Sequence, residues 1–363
     1  MNKIKIAALI GAAFLTTGVA SAADIYKSDD ASLSLYGRVK AEVLNGYGYK
    51  AVSAKKDADE HPGFLGTARV GLHGESKATD FFSFYGDISY DLNAEDNIGD
   101  VNDRMKVRYG FVGARFGDYG ELVAGHMEPA SYRALAPVDV FDNWGIGGNG
   151  GSLDDNRTVA TGSRQDGIIM YKVDDLAGFG ASVSYRFRDS GDNVKNGIAA
   201  GLSYDSPFGL GAAAGYNYVE ADKSTAYGDR TESLFSLYYG SYGEPGFYAA
   251  GVYDHTKLNS GDHMKDDFTS GDNSAGFKAD GFDLLASYTT PKGMFTFTID
   301  WGYLKNQWAN SDKDDAVDQL SAIASWNINE QAALQIEYVD NFGDGEHSDA
   351  HQDLLSFSAI YSF

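Results

Sequence analysis

Four arginines stand within segments whose polar and apolar residues alternate. They are Arg38, Arg69, Arg108 and Arg164. Each stands on the parity opposite to that of its apolar neighbours. Because successive side chains of a strand point to opposite faces, all four guanidinium groups are predicted on the polar faces of strands. Charges gathered on a polar face create a strong local field, which can act on charged and polar solutes.

Little else in the sequence points to chemistry. There is no cysteine, which excludes a thiolate site, and there is no HExxH motif or phosphate-binding loop. None of the seven histidines has the Ser or Asp context of a nucleophile with its base, so we interpret them as satisfied or solvated side chains. They are His61, His73, His126, His255, His263, His347 and His351. No catalytic residue, metal ligand or cofactor is assigned.

The first 22 residues have the form of an export signal. Lys3 and Lys5 precede an apolar run that is too short to span a membrane, and Ala20-Ser21-Ala22 follows as a small-x-small cleavage site. The alternative is a buried N-terminal helix. We predict a cleaved signal peptide at 1–22 and a single domain at 23–363.

The composition favours long strands after this segment. Gly (44), Tyr (24) and Phe (21) are abundant and Pro (6) is scarce, as expected for hydrogen-bonded strands joined by glycine turns. Charged or polar residues interrupt every apolar stretch within a few positions, so no transmembrane helix is predicted. A closed barrel is the other structure that crosses a membrane. The net charge of −23 becomes −25 without the two lysines of the signal, which argues against a nucleic-acid partner.

Alternation with a period of two identifies the strands. It is clear in Leu33–Val43, Phe295–Tyr303 and Leu334–Tyr338. These strands are about 9 to 13 residues long, whereas strands of soluble proteins usually have about 5 or 6. The sixteen predicted strands are 32–47, 64–76, 81–93, 104–116, 121–128, 164–174, 180–189, 197–206, 210–220, 231–240, 246–256, 278–290, 294–304, 316–327, 332–341 and 351–363.

Short turns and long loops rich in Asp, Asn, Gly and Ser join these strands. The short turns include Ser206–Gly209 and Pro291–Gly293, and the longest loop is the third, 129–163. The other long loops are predicted near 48–63, 94–103, 221–230, 257–277, 305–315 and 342–350. The fold class is therefore predicted as all-β, a 16-stranded antiparallel transmembrane β-barrel. A barrel of this size leaves an aqueous channel.

Four segments in order resemble the enterobacterial-type trimeric general porins of Gram-negative bacteria. They are Ala23–Arg38, Ala68–Glu75, Arg108–Gly113 and Arg164–Tyr185. The resemblance extends over the whole mature chain. It implies an outer-membrane channel for passive diffusion of small hydrophilic solutes and ions, surrounded by outer-membrane lipids and assembled as a homotrimer.

The same resemblance implies a charged constriction, where basic residues on the barrel wall face acidic residues of an inward-folded third loop. The four arginines fall on the basic positions. The motif of the loop departs from the family pattern, and Asp139 and Asp142 are its best acidic candidates, with Asp154 and Asp155 in reserve. Charges on opposed walls would produce a transverse field, and the overall acidity predicts a modest preference for cations.

Three alternatives stay open. A sugar-specific channel would need aromatic side chains inside the lumen, whereas most strand aromatics here share the apolar parity, with Tyr36 a possible exception. An outer-membrane barrel enzyme is less favoured because no nucleophile and base stand out. The acidic loop Gly261–Asn273 has oxygen ligands for Ca²⁺ but lacks the spacing of an EF-hand.

Overall fold

The structure is a computed structural model in which nine segments of the chain are described. They are residues 22–45, 62–93, 105–142, 164–189, 194–222, 227–260, 277–308, 313–342 and 353–363. The predicted signal peptide lies outside these residues apart from its last position. The loop Gly261–Asn273 and the reserve acids Asp154 and Asp155 also lie outside them.

Seventeen strands and two short 3-10 helices form the described fold. The strands are β1 (Ala23–Lys27), β2 (Ala31–Leu44), β3 (Gly63–Lys77), β4 (Phe82–Asn93), β5 (Met105–Phe116), β6 (Glu121–Met127), β7 (Gln165–Leu176), β8 (Phe179–Arg186), β9 (Val194–Asp205), β10 (Leu210–Ala221), β11 (Tyr227–Tyr239), β12 (Gly246–Ser260), β13 (Phe277–Thr289), β14 (Phe295–Trp308), β15 (Lys313–Asn327), β16 (Ala332–Asn341) and β17 (Leu354–Ser362). The 3-10 helices span Gly117–Tyr119 and Ala130–Ala134. In the described residues, no helix is long and apolar enough to cross a membrane.

Strands β2 to β17 close into one antiparallel ring of sixteen. Each strand pairs with the next along the chain. β17 returns to pair with β2, with Ser362 opposite Arg38 and Ser356 opposite Leu44. β1 pairs with the remainder of the same β2 edge, where Ala23 lies opposite Leu35. The two chain ends therefore lie end to end along β2 and leave no open sheet edge there.

The sixteen predicted strands agree with β2 to β17 to within four residues at every boundary. β1 is the strand that the sequence did not predict. Three predicted loops are narrower in the structure because the flanking strands are longer: β11 begins at Tyr227 rather than at 231, β12 ends at Ser260 rather than at 256, and β14 ends at Trp308 rather than at 304. The turns at Ser206–Gly209 and Pro291–Gly293 are confirmed.

The two faces of the barrel wall differ in chemistry. Outer positions carry exposed apolar residues, such as Phe297 (51%) on β14 and Phe357 (53%) on β17. Inner positions of the same strands are polar and buried, such as Thr298 and Ser358. We call the end that carries the short connections, including 206–209, the turn end. At the opposite end the described strands stop at the limits of the described segments, as at Leu44 of β2 and Gly63 of β3.

Candidate functional site

The third-loop segment, residues 128–142, lies inside the barrel against the inner wall. Its backbone contacts strands β8 to β10 directly: the Ala130 amide donates a hydrogen bond to Oγ of Ser184 (3.0 Å). Glycines on the wall permit this approach, since a Cβ at Gly201 would lie 2.2 Å from the Ala130 carbonyl oxygen. A Cβ at Gly215 would lie 2.5 Å from the Ser131 carbonyl oxygen. Any larger residue at these two positions would push the segment away from the wall and further into the lumen.

Apolar packing fixes the rest of this segment. Leu135 and Val138 belong to a buried cluster with Leu234, Tyr248 and Leu285 of strands β11 to β13. Tyr248 also donates its hydroxyl to the Pro137 carbonyl oxygen at 2.7 Å. The apolar residues of the segment therefore anchor it inside the barrel, in agreement with the inward-folded third loop that the resemblance implies.

Asp142 joins the third-loop segment to the wall of β2. Its two carboxylate oxygens accept hydrogen bonds from Nη1 and Nη2 of Arg38, both at 2.8 Å. Lys40 Nζ lies 3.8 Å from the same carboxylate and 3.0 Å from Glu42. The structure thus brings together the predicted Arg38 and Asp142 in a two-pronged ion pair, which is a strong charge-assisted arrangement. The segment runs from the β8–β13 wall to β2.

The pKa of Asp142 reflects this contact. Burial opposes ionisation, but Arg38 and Lys40 outweigh it and hold the pKa of the carboxyl group below its usual value. Asp142 is therefore an anion throughout the physiological range. The carboxylate at the end of the described loop segment is therefore always negatively charged, and it is paired with Arg38.

Arg69 and Arg108 share one carboxylate on β4. Asp91 Oδ1 accepts from Nε of Arg69 at 2.7 Å, and Asp91 Oδ2 accepts from Nη1 of Arg108 at 3.2 Å. Arg38, Arg69 and Asp91 also lie directly opposite one another on adjacent strands. Two like charges at facing positions repel, and Asp142 and Asp91 offset that repulsion.

The alternation predicted around Arg108 is corrected by the structure. The sequence placed Tyr109 and Phe111 on the lipid side, whereas both side chains point inward and pack against the inner wall. The cause is a β-bulge: Ser89 pairs with Tyr109 and the next residue of β4 pairs with Val107, so Arg108 is an extra residue. A bulge of this kind turns two successive side chains to the same side.

Arg164 lies immediately before β7 and contacts Glu128. Its Nη1 is 3.3 Å from Glu128 Oε1, and its guanidinium group lies 5.4 Å from the ring centre of Tyr109. Tyr109 donates its hydroxyl to the same Glu128 oxygen at 2.5 Å. The Glu128 carboxylate and the Tyr109 ring together orient the Arg164 guanidinium group.

Asp139 does not meet any of the four arginines in the described contacts. Its Oδ2 accepts a hydrogen bond from the Tyr132 hydroxyl at 2.5 Å. Burial and the neighbouring Asp139 raise the pKa of Tyr132 well above its usual value, so the phenol stays a donor. Of the two acidic candidates, Asp142 therefore contacts Arg38 and Asp139 contacts a tyrosine of its own loop segment.

Four further charged residues belong to this site but were not assigned to it from the sequence. They are Lys40, Glu42, Asp91 and Glu128. The alternation alone places Lys40 and Glu42 on the same strand face as Arg38, so these two residues could have been assigned to the site from the sequence. Asp91 and Glu128 depend on how β4 and the loop approach the arginines, which the alternation does not report.

The inner wall of β2 to β7, together with Arg164, carries its cations beside carboxylates, and we call it the paired wall. Its pairs include Arg115 with Glu75 at 2.7 Å and Lys172 with Glu121 at 2.9 Å. The inner faces of β13 to β16 differ. They carry Asp283, Asp300 and Glu337, and no Lys or Arg occupies a described inward position of β13 to β17. We call these three residues the acidic wall.

Most aromatic residues of the described strands lie on the outer face, as the sequence predicted, and a short group points inward. Tyr36, Tyr85 and Tyr109 are buried on the inner face, at 8%, 3% and 9% exposure. Tyr36 donates to Asp87 at 2.5 Å, and Tyr85 donates to Glu121. Tyr36 was the exception that the sequence allowed, and the bulge at Arg108 adds Tyr109 and Phe111.

Comparisons with known proteins agree with this architecture. A family model described as Gram-negative porin matches residues 7–346. Outer membrane protein S2 of Salmonella typhi is 26% identical over 402 aligned positions, covering 99% of this chain and all of that protein. Outer membrane porin N of Escherichia coli K12 is 24% identical and also covers 99% of this chain and all of that protein.

Solved structures reproduce the fold at low sequence identity. Salmonella typhi OmpF, solved in complex with daunomycin, has a TM-score of 0.77 at 17% identity and covers 94% of this chain and 100% of that one. The anion-selective porin from Comamonas acidovorans has a TM-score of 0.69 at 18% identity, with 92% and 100% covered. The barrel, the inward loop and the match over nearly the whole chain lead to one assignment. This chain belongs to the Gram-negative porin family of outer-membrane channels.

Proposed function

We propose that this protein is a general diffusion channel for small hydrophilic solutes and ions, with its constriction at the third-loop segment and the four arginines. One observation carries the proposal: residues 128–142 run along the inner wall of β8 to β13 and attach to Arg38 on β2 through Asp142. A segment held at both sides inside a sixteen-stranded barrel narrows the lumen without closing it. Like its family, the chain is expected to act without a cofactor.

The charge pattern supports a modest preference for cations. Arginines of the paired wall have carboxylates in direct contact, so the outward reach of their field is reduced. The acidic wall lies on the opposite side of the ring from β5 to β8 and has no Lys or Arg on its own inner face among the described positions. Fold alone does not set the sign of selectivity, since one structural neighbour is anion-selective. The sign depends on which charges line the lumen.

Single-channel recording in planar bilayers tests the proposal. Large, ohmic conductance steps that close in groups of three would support an open pore and a homotrimer surrounded by outer-membrane lipid. A reversal potential measured under a KCl gradient gives the sign of selectivity. Folded, inserted protein that gives no steps would contradict the general channel, and an anion-selective reversal potential would contradict the charge argument alone.

A substrate-specific channel is the second candidate, and the inward group of Tyr36, Tyr85, Tyr109 and Phe111 favours it. Aromatic faces along a lumen bind sugar rings in specific channels. The same recordings distinguish the two: block by a single sugar at low concentration would support the specific channel, and conductance that falls only with solute size would support the general one.

A further inference from the structure

A partly enclosed cavity of about 110 Å³ lies between the third-loop segment and the wall of β4 to β8. It is separate from the Arg38–Asp142 ion pair, and its wall contains the Tyr85 and Phe111 rings together with Met127 and Met170. The third-loop segment contributes Ala136 to the lining. Glu128 and other residues of the third-loop segment line both this cavity and the proposed constriction, whereas none of the four arginines lines the cavity.

The walls of the cavity suit a flat apolar ring. Phe111 stands edge-on to both tyrosines, with ring centres 6.3 Å from Tyr85 and 6.1 Å from Tyr109 at interplanar angles of 82° and 85°. Aromatic rings prefer such edge-to-face neighbours, and the flexible thioethers of Met127 and Met170 adapt to the shape of a bound group. An apolar cavity of about 150 Å³ holds benzene in another protein, so 110 Å³ limits the group to one ring.

Charges of both signs border the same cavity. Arg133 and Lys172 lie on its lining together with Asp174, and Arg133 Nη2 is 2.5 Å from Asp174 Oδ1. Glu128 lies on the lining near the start of the loop segment. These charges are already paired, as Lys172 is with Glu121 at 2.9 Å and Glu128 with Arg164 at 3.3 Å. A solute that carries both an ammonium and a carboxylate group would therefore join existing pairs, with each of its charges beside one of opposite sign.

We propose that this cavity binds the ring of a small zwitterionic solute with a single aromatic side group, of which phenylalanine is the simplest example. The ring lies against Phe111 and the two methionines, and the charged end stays at the rim beside Arg133, Lys172 and Glu128. A passing solute of this class is retained briefly, whereas one without a ring passes without delay. The inference rests on the open lumen of the proposed channel, because the solute reaches the cavity through it.

Binding of L-phenylalanine to the detergent-solubilised protein, followed by saturation-transfer NMR, tests this inference without conduction. L-alanine is the matched ligand, since it has the same charged groups and no ring. We expect L-phenylalanine to bind at least tenfold more tightly than L-alanine. Equal affinities would overturn the inference. A protein that conducts but does not bind the ring contradicts this inference only, and one that is folded but does not conduct contradicts the proposed channel.

Two variants locate the bound ring. Ala136→Leu fills the cavity, and we expect it to weaken phenylalanine binding at least tenfold. Ala333→Leu makes the same change at an inner position of β16 outside the cavity and is expected to leave affinity within twofold. Phe111→Leu keeps an apolar wall but removes the ring, so an intermediate loss is expected and serves if Ala136→Leu does not fold. Equal effects of the two alanine variants would place the ring elsewhere and overturn the assignment.

Discussion

The paired wall and the acidic wall carry charge in different ways. On the paired wall a cation and a carboxylate meet within hydrogen-bond distance, as in Arg38 with Asp142 and Arg69 with Asp91. On the acidic wall carboxylates lie near one another: Asp283 and Asp300 occupy diagonal inward positions on the adjacent strands β13 and β14. Removing a carboxylate therefore has opposite consequences on the two sides. On the paired wall it leaves cations uncompensated, and on the acidic wall it relieves repulsion.

The largest expected effect comes from Asp91→Ala on the paired wall. Arg69 and Arg108 would lose their shared partner while Arg38 stays opposite Arg69, so three guanidinium groups would repel. The Asp91 side chain is 42% exposed, and water screens part of this repulsion. We expect a loss of about 1–3 kcal/mol in the free energy of unfolding, measured by denaturant titration in lipid vesicles.

Asp300→Ala is the matched change on the acidic wall. It removes one of two neighbouring carboxyl groups, so we expect unfolding free energy to stay the same or to rise by about 1 kcal/mol, the size of a relieved like-charge contact. Equal destabilisation by the two variants would mean that the two walls do not differ in how they hold their charges.

Asp142→Asn is expected to have the next largest effect. It removes the negative charge and leaves only one oxygen that can accept from Arg38, so the attachment of the third-loop segment to β2 is weakened, with an expected cost of about 1–2 kcal/mol. Open-channel current noise should increase because the segment is held less firmly on the β2 side. Asp139→Asn is the control, since its amide oxygen still accepts from Tyr132 and the current should stay quiet. Noise of equal size in both variants would exclude the specific role of Asp142.

A smaller effect on selectivity is expected from the acidic wall. Neutralising Asp283, Asp300 and Glu337 together, as Asn, Asn and Gln, removes three carboxylates from strands whose described inner faces carry no Lys or Arg. The cation-to-anion permeability ratio should fall by about threefold, since buried charges still act on ions through the field that they set up in the lumen. An unchanged reversal potential would show that these residues do not contribute to selectivity.

The sequence predicts the strands well because each must alternate to meet apolar surroundings outside and a polar lumen inside. Because of that requirement, polar and apolar residues alternate with a period of two along the strands from β2 to β17. β1 escaped prediction because its five residues are all exposed and carry no such alternation. β1 is positioned instead by pairing with the part of the β2 edge that β17 does not cover.

The site was predicted in part for the same reason. The parity of Arg38 and Arg69 follows from local alternation, and the structure has both facing inward. The sequence could not show whether Asp139 or Asp142 contacts the arginines. The contact of Asp142 with Arg38 joins residues 104 positions apart and depends on how the loop packs. The inward Tyr109 could not be predicted either. One extra residue at Arg108 reverses the parity of the rest of β5, and a bulge leaves no reliable mark in a single sequence.

The smallest expected effect is a pH dependence that appears only in acid. Because the pKa of Asp142 is lowered in the folded protein, its contribution to stability is complete above the usual carboxyl pKa and is lost only as pH falls through the folded value. The difference in unfolding free energy between the native protein and Asp142→Asn should therefore be the same at pH 7 and pH 5. It should begin to shrink below about pH 4, near the pKa of an unfolded aspartate. A difference that already halves between pH 7 and pH 5 would mean that the Asp142 carboxyl group is not held as an anion by Arg38, and the contrast between the two walls would lose its clearest example.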